Sequence, residues 1–163
     1  MTVKYEINPQ AIEQESFRQI RALTDLASFD REQQQVVMRI VHSVGIPEVA
    51  NEVRFSSGAC ESGIAALSHD AEILCDVEMV KQGITKRMIS QPPSCYLNDP
   101  RAAELAKEAG ETRSMAAVEL WREKLAGSVV VIGNAPTALF RLLEMIEKGA
   151  EKPALIIGMP VGF

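Results

Sequence analysis

Apolar residues recur at helical spacing early in the chain and gather into short β-branched runs later. Ile12, Phe17, Ile20 and Leu23 make an imperfect stripe that predicts a helix over residues 12–26. Asp30 followed by Gln33 has the form of a capping box. Val36, Val37, Ile40 and Val41 then continue one apolar face until Gly45 and Pro47 stop it. Residues 53–56 read as a strand, 59–67 as a helix and 72–75 as a second strand. Asp76 is placed to cap a short helix through Met79 and Val80, which Gly83 ends. Residues 85–89 read as a third strand, and Gln91-Pro92-Pro93-Ser94 as irregular chain. Asn98-Asp99-Pro100 opens a helix over 101–109, with proline in its first turn. Thr112 or Ser114 caps the next, over 115–125.

The densest signal is the run Val129-Val130-Val131-Ile132-Gly133-Asn134-Ala135-Pro136-Thr137. Strand, tight turn and helix start follow one another without a spare residue. Such a turn sets backbone N–H groups and a polar side chain at the carboxyl end of a strand, where open α/β sheets bind ligands. A last strand, 154–157, follows Pro153. Strands alternating with helices in this way predict an α/β fold. The expected architecture is a three-layer α/β/α sandwich with a mainly parallel sheet of about five strands, as a single domain over residues 1–163. The sequence ends at 158–163 directly after a strand. A strand buried on both faces wants a covering helix, so either the sheet finishes uncovered or an element is missing.

Composition narrows the partners. A net charge of -5 argues against nucleic acid, which needs a basic face. The apolar runs 129–132 and 154–157 are far too short to span a bilayer, and residues 1–17 hold no apolar signal core, so neither membrane insertion nor export is expected. Cys60, Cys75 and Cys95 are odd in number and lack CxxC spacing, which points to reduced thiols rather than a disulfide framework or zinc site.

His42 is one of two histidines and stands at the end of an amphipathic helix beside its terminal glycine. The carboxyl end of a helix favours imidazolium, which suits a proton donor. A histidine that merely settles the last carbonyls fits the same position. His69 closes another helix in a polar turn and reads as a surface residue. Neither has metal-ligand spacing, so no metal site is expected. GxSxG, GxGxxG and the P-loop are all absent, which disfavours a serine hydrolase and an enzyme using a nucleotide or S-adenosylmethionine. Arg54, Lys81, Lys86, Arg87 and Arg113 could serve a ligand with several carboxylates, although surface solubility accounts for each singly. Asn134 and Thr137 are candidate polar contacts at the strand end, or simply turn and cap residues. Met115, Val118 and Trp121 could belong to the core or to an interface.

Four segments taken together resemble the precorrin-8X methylmutase family of cobalamin biosynthesis: residues 39–45 (RIVHSVG), 76–84 (DVEMVKQGI), 112–117 (TRSMAA) and 132–139 (IGNAPTAL). The ending GMPVGF is similar too, and the likeness runs from about residue 15 to the end. It implies an α/β homodimer, cytoplasmic and free of cofactor. The implied reaction moves a methyl group from C-11 to C-12 of a corrin precursor, either metal-free or carrying cobalt. On this resemblance His42 matches the catalytic acid. Arg54, Lys86, Arg87, Arg113, Asn134, Thr137 and Ser43 become candidate substrate contacts, with Arg113 first among the cations because of its TRS context. The family pattern continues past GMPVGF, so the chain is expected to lack the family's C-terminal segment. A tetrapyrrole-binding protein without turnover is the alternative expectation.

Overall fold

The computed structural model describes residues 5–161; Gly162 and Phe163, the close of the GMPVGF segment, lie outside them. The chain divides into two compact units, Met1–Cys60 and Glu61–Phe163.

The first unit is helical. Helix α1 spans Pro9–Leu23 and α2 spans Arg31–Val44. α1 begins before the apolar stripe because the Asn8 side chain accepts from the N–H groups of Gln10 and Ala11 while Pro9 occupies the first turn. It also stops short of Leu26, since Thr24 is extended, and Leu26 folds into the core instead. α2 matches its sequence signals: the Asp30–Gln33 capping box forms, and Gly45 ends the helix at φ 76°. A 3-10 turn, Pro47–Glu52, follows. Leu26, Val37, Met38, Val41, Ala50 and Val53 form the buried core, with Phe17, Ile20, Phe29 and Phe55 packed against it. The strand expected at 53–56 is not there. Val53 is a core residue, and the Arg54 guanidinium donates to the carbonyls of Asn51 and Val53, so this extended stretch pairs with no sheet.

The second unit carries a parallel sheet of four strands in the order β2-β1-β3-β4. The strands are β1 (Ile73–Cys75), β2 (Ser94–Cys95), β3 (Val129–Ile132) and β4 (Leu155–Gly158). Side chains alternate between the faces. Leu74, Val130 and Ile132 point into a core with Val118, Trp121, Leu125, Ala138, Leu142 and Met145. Ile73, Cys75 and Val129 point into another with Ala66, Val80 and Ile84. Helices α3 (Ala59–Ser68) and α4 (Glu78–Gly83) supply one covering layer. Helices α6 (Arg113–Glu119) and α7 (Pro136–Glu147) supply the other, and α5 (Pro100–Ala109) precedes α6 in the chain. This is the three-layer arrangement the sequence predicts, with one strand fewer. Val118 and Trp121 are fully buried core residues of this unit.

Three local expectations fail here. Residues 85–89 form a 3-10 turn, Lys86–Met88, not a strand. Only Ile84 and Ile89 lean on the core, five positions apart, so the stretch has no strand period to satisfy. Ser94, taken as irregular, begins the edge strand β2, and the prolines sit just ahead of it, where a missing N–H costs no ladder bond. The single helix expected over 115–125 is instead α6 followed by a 3-10 turn, Arg122–Lys124.

Candidate active site

His42 lies in the last turn of α2 and is exposed. It does not cap the helix. Gly45 does so through its N–H to the Val41 carbonyl at 2.7 Å, and the neighbouring Ser43 hydroxyl donates back to the Arg39 carbonyl at 2.9 Å. The other histidine plays the part considered for His42: its Nδ1 lies 2.8 Å from the Ala65 carbonyl at the end of α3. Among the described residues neither ring nitrogen of His42 has a hydrogen-bond partner, so both are open to a ligand. The ring instead stacks on Phe17 of α1, with centroids 5.3 Å apart and planes 13° from parallel. The Arg39 guanidinium stands 4.5 Å from the Phe17 centroid and pairs with Glu13 at 2.9 Å. Beside this stack is a cleft of about 240 Å³, walled by Ser16, Gln19, Ile20 and Leu23 of α1 and by His42, Gly45 and Pro47.

Arg54 lies on a different cleft of the same unit, about 550 Å³ in volume, with Asp25, Ser28, Gln33 and Asn51. The structure therefore places neither Ser43, whose hydroxyl turns back to its own helix, nor Arg54 on the cleft beside His42.

In the second unit the strand-turn-helix signal forms as expected: β3 runs through Gly133 and Asn134 into α7, with Pro136 in the first turn. Its backbone donors, however, are already taken. The Asp76 carboxylate accepts from the N–H groups of Gly133 at 3.2 Å, Asn134 at 2.9 Å and Ala135 at 2.8 Å. Asp76 thus ties down the turn ahead of α7, where its negative charge also suits the helix dipole, and does not cap the α4 helix beside it in sequence. The turn cannot cradle a substrate anion through its backbone. What it offers is side chains. Thr137 in the first turn of α7 meets Thr112, the N-cap of α6, at 3.2 Å between hydroxyl oxygens, and Arg113 follows Thr112. Arg113, Asn134 and Thr137 are therefore gathered at one end of this unit. Arg113 is exposed and forms no ion pair among the described residues. Lys86 and Arg87 are on the exposed 3-10 turn after α4, where Lys86 reaches Gln82.

Sequence reasoning placed Phe17 only in an apolar stripe and Asp76 only beside its nearest helix. Both act on elements distant in sequence, and neither local periodicity nor local capping rules carry that information.

A two-helix unit with an open imidazole at a cleft, followed by a parallel-sheet unit with a polar edge beyond β3, defines an α/β protein. Comparison with known proteins identifies the kind. The family model described as CbiC, precorrin-8X methylmutase, matches residues 11–163, and the chain belongs to that family. It is 48% identical over 163 residues to the precorrin-8X methylmutase of Pseudomonas aeruginosa, covering 99% of this chain and 78% of the relative. A Sinorhizobium precorrin-8X methylmutase is 52% identical over 155 residues, with 94% and 74% covered. The crystal structure of the precorrin-8X methyl mutase from Thermus thermophilus superposes with a TM-score of 0.82 at 38% identity, covering 94% of this chain and 76% of that one. Among the described residues no helix is long and apolar enough to cross a membrane.

Proposed function

We propose that this chain is an isomerase moving a methyl group from C-11 to C-12 of precorrin-8X, or of its cobalt-bearing counterpart, to give hydrogenobyrinate or cobyrinate, with His42 as the acid. Membership of the methylmutase family supports the reaction. The observation that carries the residue assignment is an imidazole at a cleft with neither nitrogen partnered among the described residues. The imidazolium donates a proton to the conjugated macrocycle, which leaves that system electron-poor. The C-11 to methyl bond breaks as the C-12 to methyl bond forms, and the proton returns to His42, so nothing is gained or lost overall. The methyl group is already on the substrate, and the reading needs no cofactor; cobalt enters only as part of the substrate. General acid catalysis of this kind contributes about 10²–10⁴-fold in rate.

Arg54, Lys86, Arg87 and Arg113 are the proposed contacts for substrate carboxylates, with Ser43, Asn134 and Thr137 as polar contacts. Arg113 leads because of its TRS context and because it follows Thr112, whose hydroxyl meets Thr137 at the same corner. The cleft at His42, about 240 Å³, falls short even of the roughly 300–1,000 Å³ typical of small-molecule pockets. It admits an edge of a macrocycle, and the remainder needs further walls. A second copy of the chain could supply them, so the reading takes a homodimer in the cytoplasm as the working form, with residues 1–163 acting as one catalytic domain; light scattering on the purified protein tests the dimer.

The deciding experiment incubates the wild type and His42→Ala with the metal-free and cobalt-bearing substrates while the chromophore absorbance is followed. The expected result is conversion by the wild type, and binding without conversion by the variant. Conversion by His42→Ala at the wild-type rate removes His42 from the mechanism. Binding without conversion by the wild type itself would replace the isomerase with a tetrapyrrole-binding protein.

A further inference from the structure

We propose that Phe17 is the positioning residue for the His42 acid, holding the imidazole by stacking instead of by hydrogen bonding; this rests on the reading of His42 given above. A general acid must keep its N–H aimed at one atom, and enzymes usually fix a histidine by hydrogen-bonding the ring nitrogen that does no chemistry. Among the described residues His42 has no such bond. It also sits on an exposed helix end, where an unrestrained side chain exchanges rotamers quickly. The restraint present is the Phe17 face at 5.3 Å and 13°. That contact attracts an imidazolium through the ring quadrupole and leaves both nitrogens free.

Phe17 is itself held on two sides. It packs against the core formed by Leu26, Val37 and Val41. The Arg39 guanidinium, tethered by Glu13 at 2.9 Å, lies against its ring. Arg39 and His42 are three residues apart on α2 and so share a helix face. One aromatic side chain from α1 thereby meets both the guanidinium and the imidazole of that face. A hydrogen-bonding orienter would commit one nitrogen to a tautomer; a stacked one does not. The arrangement suits an acid that must give up a proton and recover it within one turnover.

Phe17→Leu removes the π face but keeps an apolar side chain of similar bulk, and Phe17→Tyr restores the face. Phe17→Leu should lower kcat about 10–100-fold, as a misaimed acid does, while KM stays within about threefold. Phe17→Tyr should return kcat to near the wild-type value. The independent readout is proton NMR of the histidine ring protons, which is simple with only two histidines in the chain. In the wild type the His42 signals should be displaced by the Phe17 ring current. In Phe17→Leu they should move towards free-histidine positions, while those of His69 stay put. Circular dichroism confirms that each variant is folded, and Phe17→Met takes the place of Phe17→Leu if the latter is not. Unmoved His42 signals, or an unchanged kcat in the folded variant, overturns the proposal. An inactive His42→Ala beside a fully active Phe17→Leu would sink this inference alone; an active His42→Ala would sink the acid assignment beneath it.

Discussion

Replacing Asp76 by asparagine tests whether one buried carboxylate holds the polar edge together. Asp76 is 2% exposed, and its two oxygens take three backbone donors at 2.8–3.2 Å. Asparagine keeps the shape but has one oxygen. If that oxygen faces Asn134 and Ala135, its amide group must face the Gly133 N–H, so one bond becomes a donor–donor contact. The other two lose their charge assistance. A hydrogen bond to a charged group contributes about 1.5–3 kcal/mol and an unsatisfied buried donor costs about 1–3 kcal/mol, while relief from burying a charge offsets part of the loss. The net destabilisation should be about 3 kcal/mol, or about 6–12 °C in Tm for a chain of this length. Trp121, the chain's one tryptophan, is fully buried in the core beneath this turn and reports directly on urea unfolding by fluorescence. Asp99→Asn serves as the control. Asp99 caps the N-terminus of α5, a task asparagine performs nearly as well, so the change should cost under about 1 kcal/mol. Equal midpoints and slopes for Asp76→Asn and the wild type would refute the argument that this carboxylate organises the turn.

Gly133→Ala and Gly63→Ala make a paired test, since each new methyl meets a neighbour at 2.8 Å. Gly133 faces Val80, whose branched side chain is stiff, whereas Gly63 faces the flexible end of Leu155. Gly133→Ala should therefore be the more destabilising, by about 1–3 kcal/mol for an overpacked site, and urea midpoints check the order. Cys75 is fully buried, and its thiol is pushed up to about 12, first by that burial and then by nearby Cys95 and Asp76. It should resist a thiol reagent at pH 8 until the protein is unfolded, as counted by absorbance or mass. The sign of its effect on stability follows from linkage. The unfolded thiol ionises first, so the contribution is complete below about pH 9 and is lost as pH rises towards about 12. A stability that does not fall across that alkaline range would contradict it.

What the sequence disclosed was local. Asp30, Gln33 and Gly45 define α2 because the partners in a cap lie within a few residues. The run from Val129 to Pro136 defined strand, turn and helix for the same reason. Errors arose where a pattern of about five residues fitted two structures. Residues 53–56 form no strand, Val53 and Phe55 serving a helical core, and Thr85, Arg87 and Ile89 alternate without entering a sheet. β2 was hidden by the prolines that precede it. At the site, His42 was visible as a rare residue at a helix end. Its stacking partner belongs to another helix, and the ligand of the 133–135 turn lies 57 to 59 residues away. Contacts of that span leave no periodic trace.

The span of the Asp76 contacts also has a kinetic meaning. The carboxylate leaves the end of β1 and closes on the turn that follows β3, so the Asn134–Thr137 corner cannot take shape until the two strands have paired. Loop-closure entropy must be overcome before any of the three bonds repays it. A partly assembled sheet would therefore have no organised corner at this edge, which takes shape only in molecules whose β1 and β3 are already joined.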